Sequence, residues 1–221
     1  MSEARKQVRA IAHEHLARGD ALGWFEAVYS AAAGDVDRVP WADRVANPLL
    51  IGWLERELVR GDGRRALVVG CGLGDDAVAL ADRGFVVTAF DLSPTAIGWC
   101  HRRFPDSPVD WRVADLFALR ADLHGAFDFV FEAYTLQSFG DAPMRNGAMR
   151  ALAATVARGG TLLVVARGRD LEAQVDGPPW PLALAELAPI ERAGLRCEHH
   201  EDFYDDEPQR RLRVEYRRPA P

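Results

Sequence analysis

The sequence predicts an α/β protein: a doubly wound, mostly parallel sheet of seven strands with a reversed strand at the carboxyl end. Three observations carry this reading. From Arg65 onward, short apolar runs without polar alternation take turns with helix-period segments, as strands covered on both faces require. The first of these runs passes into a glycine-rich turn, Gly70-Cys71-Gly72-Leu73-Gly74. The last two strand-like stretches, 195–204 and 211–216, are joined by Asp205-Asp206-Glu207-Pro208. That link is too short for a crossover helix, so the two strands must be antiparallel.

The elements follow in order. Val8, Ile11, Ala12 and Leu16 recur at helical spacing, as do Leu22, Phe25, Val28 and Tyr29, and Gly34-Asp35 stops the second helix. Val39-Pro40-Trp41 and Asn47-Pro48 make a loop before a third helix over 49–58. Ala66-Leu67-Val68-Val69 is the first strand and 75–83 its helix, closed by Gly84. The second strand spans 85–90, and Ser93-Pro94 starts the next helix with proline at the first helical position. Trp111-Arg112-Val113, 127–131 and 161–165 supply three more strands, the last after a helix over 144–157. A further helix is expected over 181–193, closed by Gly194. Residues 1–60 form an N-terminal helical lid segment and residues 61–221 the ligand-binding domain, together one compact unit.

A chain of 221 residues, 48% hydrophobic and 27% charged, fits one globular domain. The net charge of −6 argues against a phosphate-backbone partner. The arginine-rich stretch Arg210 to Arg218 reads as a solvated face of a strand. The amino terminus is charged throughout, without the apolar region of a secretory leader, and no run approaches the roughly 20 apolar residues of a membrane span. Cys71, Cys100 and Cys197 are an odd, scattered set without metal spacing. A cytoplasmic protein is expected, with no metal and with neither nucleic acid nor membrane as partner.

The spacing of the glycine turn discriminates between ligands. A dinucleotide fingerprint reads GxGxxG and rests the pyrophosphate on the helix start. Here the glycines are Gly70, Gly72 and Gly74, and Asp75-Asp76 follow. Two carboxylates there would repel a pyrophosphate and favour a ligand carrying ammonium and sulfonium charge, or they serve simply as helix caps. Asp91 ends the second strand, where an acidic residue accepts hydrogen bonds from both ribose hydroxyls of an adenosine ligand or forms the turn before Ser93-Pro94. Asp115 follows the third strand, placed for an adenine amino group or for capping.

Gly70-Cys71-Gly72-Leu73-Gly74, Phe90-Asp91-Leu92-Ser93, Ala114-Asp115-Leu116-Phe117 and Phe127-Asp128-Phe129-Val130, each at the expected strand, resemble the class I S-adenosylmethionine-dependent methyltransferases, Rossmann-like proteins with a reversed last strand. The resemblance runs from about Trp53 to the carboxyl end. Within the class, Val39-Pro40-Trp41 with Asn47-Pro48, together with residues 89–97, is similar to the thiopurine S-methyltransferase-like group. The resemblance implies S-adenosylmethionine as methyl donor and S-adenosylhomocysteine as product. It also implies roles for residues: Gly70, Cys71 and Gly72 on the methionine moiety, Asp91 on the ribose, Leu92 and Ser93 beside the adenine. Ala114, Asp115 and Leu116 hold its other edge, Glu132, Ala133 and Tyr134 pass beneath the sulfonium, and Trp41 is the lid aromatic.

Methyl transfer from a sulfonium is an in-line displacement that needs positioning and exclusion of water. A thiolate needs little more, whereas an amine or hydroxyl calls for a base. Glu132 is the carboxylate in place for that role, with Tyr134 beside it, and Phe25, Trp41, Tyr134 and Gln137 are the residues expected at a small-molecule acceptor. The Asn/Asp-Pro-Pro-aromatic motif of base and amide methylation is missing after the fourth strand. Trp24, Tyr29 and Trp180 are further aromatics available to an apolar pocket. His13 and His15 point apart on a helix, and His199-His200 lie on opposite sides of a strand, so both pairs read as packing or solvated residues. A non-catalytic adenosylmethionine-binding module, an NAD-dependent oxidoreductase and a macromolecular acceptor are the competing readings. Oligomeric state is invisible in the sequence.

Overall fold

The computed structural model describes residues 3–205 and 208–220. One sheet holds β1 (Arg65–Val69), β2 (Val86–Asp91), β3 (Asp110–Val113), β4 (Phe127–Ala133), β5 (Val156–Arg167), β6 (Arg196–Tyr204) and β7 (Arg210–Arg217). Their order across the sheet is β3-β2-β1-β4-β5-β7-β6. Strands β1 to β5 pair in parallel, and β7 runs antiparallel to both β5 and β6. The predicted reversed strand is therefore β7, inserted between β5 and β6. Asp206 and Glu207 of the acidic turn lie outside the described residues.

The helices are α1 (Glu3–Ala17), α2 (Gly23–Ala32), α3 (Pro48–Arg56), α4 (Asp75–Ala81), α5 (Pro94–Arg103), α6 (Ala142–Thr155) and α7 (Ala188–Arg192). Side chains alternate across the sheet, so each strand feeds two cores. Leu67, Val69, Val130, Leu162, Val164, Leu212 and Val214 pack with Met149 and Leu152 of α6 and Ile190 of α7. Ala66, Val68, Ala89, Phe129, Phe131, Leu163 and Val165 pack with Leu50 and Trp53 of α3, Leu80 of α4 and Ile97 of α5. Both faces being covered explains why β1 reads as an unbroken apolar run. The amino-terminal helices have their own small core of Val8, Ala12, Trp24 and Val28, and α2 reaches α5 through Tyr29, Ala32, Ala96 and Trp99.

Three expectations are corrected. The strand expected over 161–165 begins at Val156, and its register against β4 shifts between Phe127 and Phe129; Gly159-Gly160 inside it masked the continuity. The helix expected over 181–193 is broken: Leu182 bridges Gly168 in extended form, a 3-10 turn covers Leu184–Leu187, and α7 is only five residues long. Pro189 at its start has no N–H to continue a longer helix. Finally, Arg210 to Arg218 is not a solvated face. Because β7 is an interior strand, Arg213 is buried on Glu201 and donates to the Leu49 carbonyl at 2.7 Å, while Arg211 pairs with Asp205.

Helix α3 is the piece of the amino-terminal segment most tightly fixed to the sheet. Asn47 caps it by accepting from Leu49 N at 2.9 Å, and Pro48 sits at the first turn. Trp53 stacks on Phe129 with centroids 5.1 Å apart, and its Nε1 donates to Glu215 at 2.9 Å. Replacing this buried indole leaves a cavity beside β4 and an unpaired Glu215, so Trp53→Ala is expected to lower stability by about 3–5 kcal/mol. Urea denaturation read by circular dichroism measures this, and a loss below about 1 kcal/mol would show that α3 is not part of the core.

Candidate functional site

The carboxyl ends of β1, β2, β3, β4 and β5 lie along one edge, where ligands of open α/β sheets bind. At the end of β1 the backbone of Gly70, Gly72 and Gly74 turns through positive φ of 61°, 53° and 89°. A Cβ at Gly70 would sit 2.3 Å from Thr135 Oγ1, and one at Gly74 would meet Trp111 at 2.6 Å, so the turn is pressed between the β4 loop and β3. Cys71 is buried behind it, and the Cys100 thiol donates to the Gly72 carbonyl at 3.3 Å. Asp75 and Asp76 are both engaged within the protein. Asp75 takes a bidentate pair from Arg103 at 2.7 and 2.8 Å, and Asp76 accepts from Asn47 N at 2.6 Å. Burial, with Asp75 and Asp43 nearby, pushes the Asp76 carboxyl up to about 6.

Asp91 ends β2 as predicted and is buried. One carboxylate oxygen accepts from Gly72 N and the other from Ser93 N, both at 2.9 Å, which joins the glycine turn to the start of α5. Burial raises its pKa despite these bonds. Each oxygen keeps a further lone pair for a donor. Ser93 is buried and caps α5 by accepting from Ala96 N at 3.0 Å, and Leu92 beside it is half-buried. From α2, Glu26 accepts from Ser93 Oγ at 2.5 Å, from Thr95 Oγ1 at 2.6 Å and from Thr95 N at 3.2 Å. Tyr29, also on α2, is buried with its hydroxyl 3.1 Å from where a Gly72 Cβ would stand. Trp41 donates to that hydroxyl at 2.9 Å and is itself 38% exposed.

At the end of β3, Ala114 N donates to Asp91 O at 3.0 Å, and Asp115 caps a 3-10 turn by accepting from Phe117 N at 2.8 Å. Asp115 keeps its second oxygen outside that cap, and Leu116 is buried beside it. Capping and an adenine contact are thus compatible.

At the end of β4, Glu132 is fully buried on the face of Val69 and Val164. Its Oε1 accepts from Leu136 N at 2.9 Å, and its Oε2 has no partner among the described residues. Burial pushes the carboxyl up to about 7. Ala133 is half-buried, and Tyr134 follows with φ of 65°, its hydroxyl accepting from Arg211 Nη1 at 3.2 Å. Gln137 is buried, its side-chain oxygen taken by Arg167 N at 2.7 Å and its carbonyl by Trp180 N at 2.7 Å, so it braces β5 and the loop beyond it.

The aromatics divide into two groups. Phe25 stacks on Trp24 at 4.0 Å, Trp41 meets Trp24 and Tyr29 edge-on, and Phe25 continues to Phe139 and Phe117. Trp180 instead packs against Gly140 and Gly177 and lines, with Arg145 and Arg169, an open cavity of about 380 Å³ under the loop after β5. Helix α1 straps that loop: Arg9 donates to Pro178 O at 3.1 Å and to Asp176 O, and His13 to Gly177 O at 3.1 Å. His15 pairs with Asp20 at 2.8 Å. His199 and His200 lie on exposed β6. Among the described residues no three His, Cys, Asp or Glu side chains are grouped to hold a metal, and no helix is long and apolar enough to cross a membrane.

The structure therefore gathers Gly70, Cys71, Gly72, Asp91, Leu92, Ser93, Trp41 and Glu132 around one edge. Glu26 and Thr135 had no local signal in the sequence, because they reach the site only through folding.

A family model described as thiopurine S-methyltransferase matches residues 35–217. A ubiquinone biosynthesis O-methyltransferase of Azotobacter vinelandii is 42% identical over 86 residues, covering 38% of this chain and 37% of that protein. The chain thus spans little more than a third of that relative's length. Among solved structures, a Burkholderia thailandensis 1,6-didemethyltoxoflavin-N1-methyltransferase with bound S-adenosylhomocysteine superposes with a TM-score of 0.69 at 18% identity, covering 94% of this chain and 90% of the other. The N-methyltransferase NodS of Bradyrhizobium japonicum, in complex with S-adenosylhomocysteine, gives 0.67 at 18% identity over 88% and 98%. At such identities the superpositions speak for the fold.

The buried Glu132 has a consequence for stability. Its folded pKa of about 7 lies above that of an unfolded glutamate, so the folded state holds its proton more tightly. Its contribution is full below about pH 4 and is lost as pH rises through about 7, a span of roughly 3 kcal/mol. Glu132→Gln is expected to flatten the fall in stability between pH 5 and pH 8 seen in urea melts. An unchanged slope would show that Glu132 does not titrate in this range.

Proposed function

The chain belongs to the thiopurine S-methyltransferase family, and from that premise we propose that it transfers a methyl group from S-adenosylmethionine to a small-molecule acceptor, a thiol or other soft nucleophile. The observation that carries this is Asp91, a buried carboxylate at the end of β2 that is hydrogen-bonded to a glycine turn with no room for side chains at Gly70 and Gly74. The residues present fit an adenosyl ligand. Asp91 would accept from the ribose hydroxyls, with Leu92 and Ser93 on one side of the adenine and Ala114, Asp115 and Leu116 on the other. Gly70, Cys71 and Gly72 would hold the methionine part by backbone.

The cofactor supplies a methyl on a positively charged sulfur. The protein's part is to bring a nucleophile to about 3 Å from that methyl, in line, and to keep water away. Trp41 and Phe25 close the site from the amino-terminal segment 1–60, which acts as a lid anchored by α3. Glu132 and Ala133 would lie beneath the sulfur, where a buried carboxylate lacking a partner on one oxygen favours a cation. With a carboxyl near 7, Glu132 can also take a proton from an acceptor of similar pKa, and a thiol suits it better than an alcohol or amine. Tyr134 would border the acceptor, and Gln137, buried and bonded to Arg167 N, would brace β5 behind it rather than touch the acceptor as expected from the sequence. The free thiols of Cys71, Cys100 and Cys197 suit a reducing cytoplasmic setting.

Calorimetric titration with S-adenosylmethionine, S-adenosylhomocysteine and NAD tests the reading. Micromolar binding of the two adenosyl-sulfur ligands and none of NAD is expected; binding of NAD alone would overturn it. Asp91→Ala should lose about 1.5–3 kcal/mol of S-adenosylhomocysteine affinity, roughly ten- to a hundredfold. Unchanged affinity would remove Asp91 from the ribose. For the acceptor, formation of S-adenosylhomocysteine should be faster with small arylthiols than with the matching phenols or anilines, and the reverse order would exclude the soft-nucleophile preference.

A further inference from the structure

Arg167 and Arg211 stand directly opposite each other across the antiparallel β5–β7 pair. Like charges so placed weaken a sheet. Arg211 is compensated: it donates to Asp205 at 2.7 Å and to the Tyr134 hydroxyl at 3.2 Å, with its guanidinium 5.7 Å from the ring centre. Arg167 is not compensated in this way. It is half-buried, and its guanidinium makes no hydrogen bond or ion pair among the described residues, although Asp205 acts on it from a distance. Burial, then the charges of Arg211 and of Arg5 from α1, hold its pKa below the usual range. A desolvated, unpaired cation is costly unless something of opposite charge arrives.

The place of this cation in the fold says what should arrive. Arg167 ends β5, and Arg211 lies near the start of the reversed β7, so both stand at the ligand edge of the sheet. Tyr134 follows β4 on the same edge. The glycine turn and Asp91 occupy the β1–β2 half, and the arginines occupy the β5–β7 half. Asn47 and Asp43 also act on Tyr134, and Asp43 acts on Asp76 at the start of α4. Charge therefore runs from negative beside α4 to positive beside β7.

We propose that the methyl acceptor carries an oxyanionic group, a carboxylate or a phosphate, and that Arg167, with Arg211 beside it, binds that group on the β5–β7 side of the methyl donor. A guanidinium fork matches either oxyanion with two parallel N–H donors. The gradient of charge turns the anion toward β7 and leaves the nucleophile facing the glycine turn. The order of the two ligands rests on the methyltransferase reading above; the anion site itself does not.

The test is calorimetry on the full chain saturated with S-adenosylhomocysteine, at constant ionic strength, with benzoate, phenyl phosphate and the uncharged benzamide. At least one anion is expected to bind about tenfold or more tightly than benzamide, and which anion wins names the group on the acceptor. Arg167→Gln should erase the preference while S-adenosylhomocysteine affinity stays unchanged. Arg167→Lys, which keeps the charge without the fork, should retain part of the preference and serves if the glutamine variant does not fold. Equal binding of anions and benzamide, no anion binding at millimolar concentration, or an intact preference in Arg167→Gln would overturn the proposal. Failure of S-adenosylhomocysteine itself to bind would instead sink the cofactor reading, and the anion comparison on the ligand-free protein would still decide this one.

Discussion

A carboxylate that bridges two turns organises the ligand edge of this molecule. Asp91 accepts from Gly72 on one side and from Ser93 on the other, both at 2.9 Å. Those bonds fix where the turn after β1 stands relative to the start of α5. They add to the bonds from Cys71 N to Phe90 O and from Arg103 to Leu73 O in ordering glycines that give up more conformational entropy than other residues. Everything that touches the edge is then referred to this bridge. Trp111 supports Gly74 from β3, Thr135 closes on Gly70 from the β4 loop, and Tyr29 stands over Gly72 from α2. Glu26 grips the same Ser93 whose N–H Asp91 holds. Burial raises the Asp91 pKa, so the bridge is held at an electrostatic cost that additional donors would relieve.

The same logic extends along the edge. Burial raises the carboxyls of Asp76, Asp91 and Glu132 above their usual values. In each, protein donors offset only part of the cost: one N–H for Asp76, and a free oxygen on Glu132. Partly compensated buried carboxylates on the β1–β4 side and a half-buried, unpaired guanidinium on the β5–β7 side are opposite imbalances within one edge. A sheet built only for stability would pair them or replace them with apolar groups of similar size. Such polarity suits a reaction in which a cationic donor meets an acceptor approaching from the other half.

Much of this was legible in the sequence. Apolar runs ending in glycine or aspartate marked β1 and β2, and the short link before Gln209 marked the antiparallel pair. Asp91 and the turn Gly70 to Gly74 were visible because strand–turn–helix chemistry is local. What was missed depends on distant partners. The arginines of β7 alternate as a solvated strand would, and only the insertion of β7 between β5 and β6 buries Arg213 on Glu201. Glu26 carries no signal within its own helix, because its partners Ser93 and Thr95 lie far along the chain. Burial raises the Glu26 carboxyl, but the bonds from Ser30, Ser93 and Thr95 outweigh it and leave it below its usual value. Pro189 carried a readable helix-breaking signal that the apolar periodicity around it obscured.

The amino-terminal segment gains a physical meaning from where its bonds end. Helix α1 holds the loop beyond β5 through Arg9 and His13, and α2 holds the start of α5 through Glu26. The two attachments lie toward opposite ends of the edge, one at the loop beyond β5 and one at the start of α5 after β2. Its apolar contribution there, Trp24, Phe25, Tyr29 and Trp41, forms one connected aromatic group. Single bonds of this kind are worth about 0.5–1.5 kcal/mol, more where a charge takes part. A few of them can open and close together without unfolding the sheet, whose strands are tied by whole ladders. Helix α3 is held differently, by Trp53 stacked on Phe129 in the core. On the proposed function, this segment would serve as a cover held at both ends by single hydrogen bonds, keeping water from the methyl donor. Exclusion of water is the condition that methyl transfer to a nucleophile imposes.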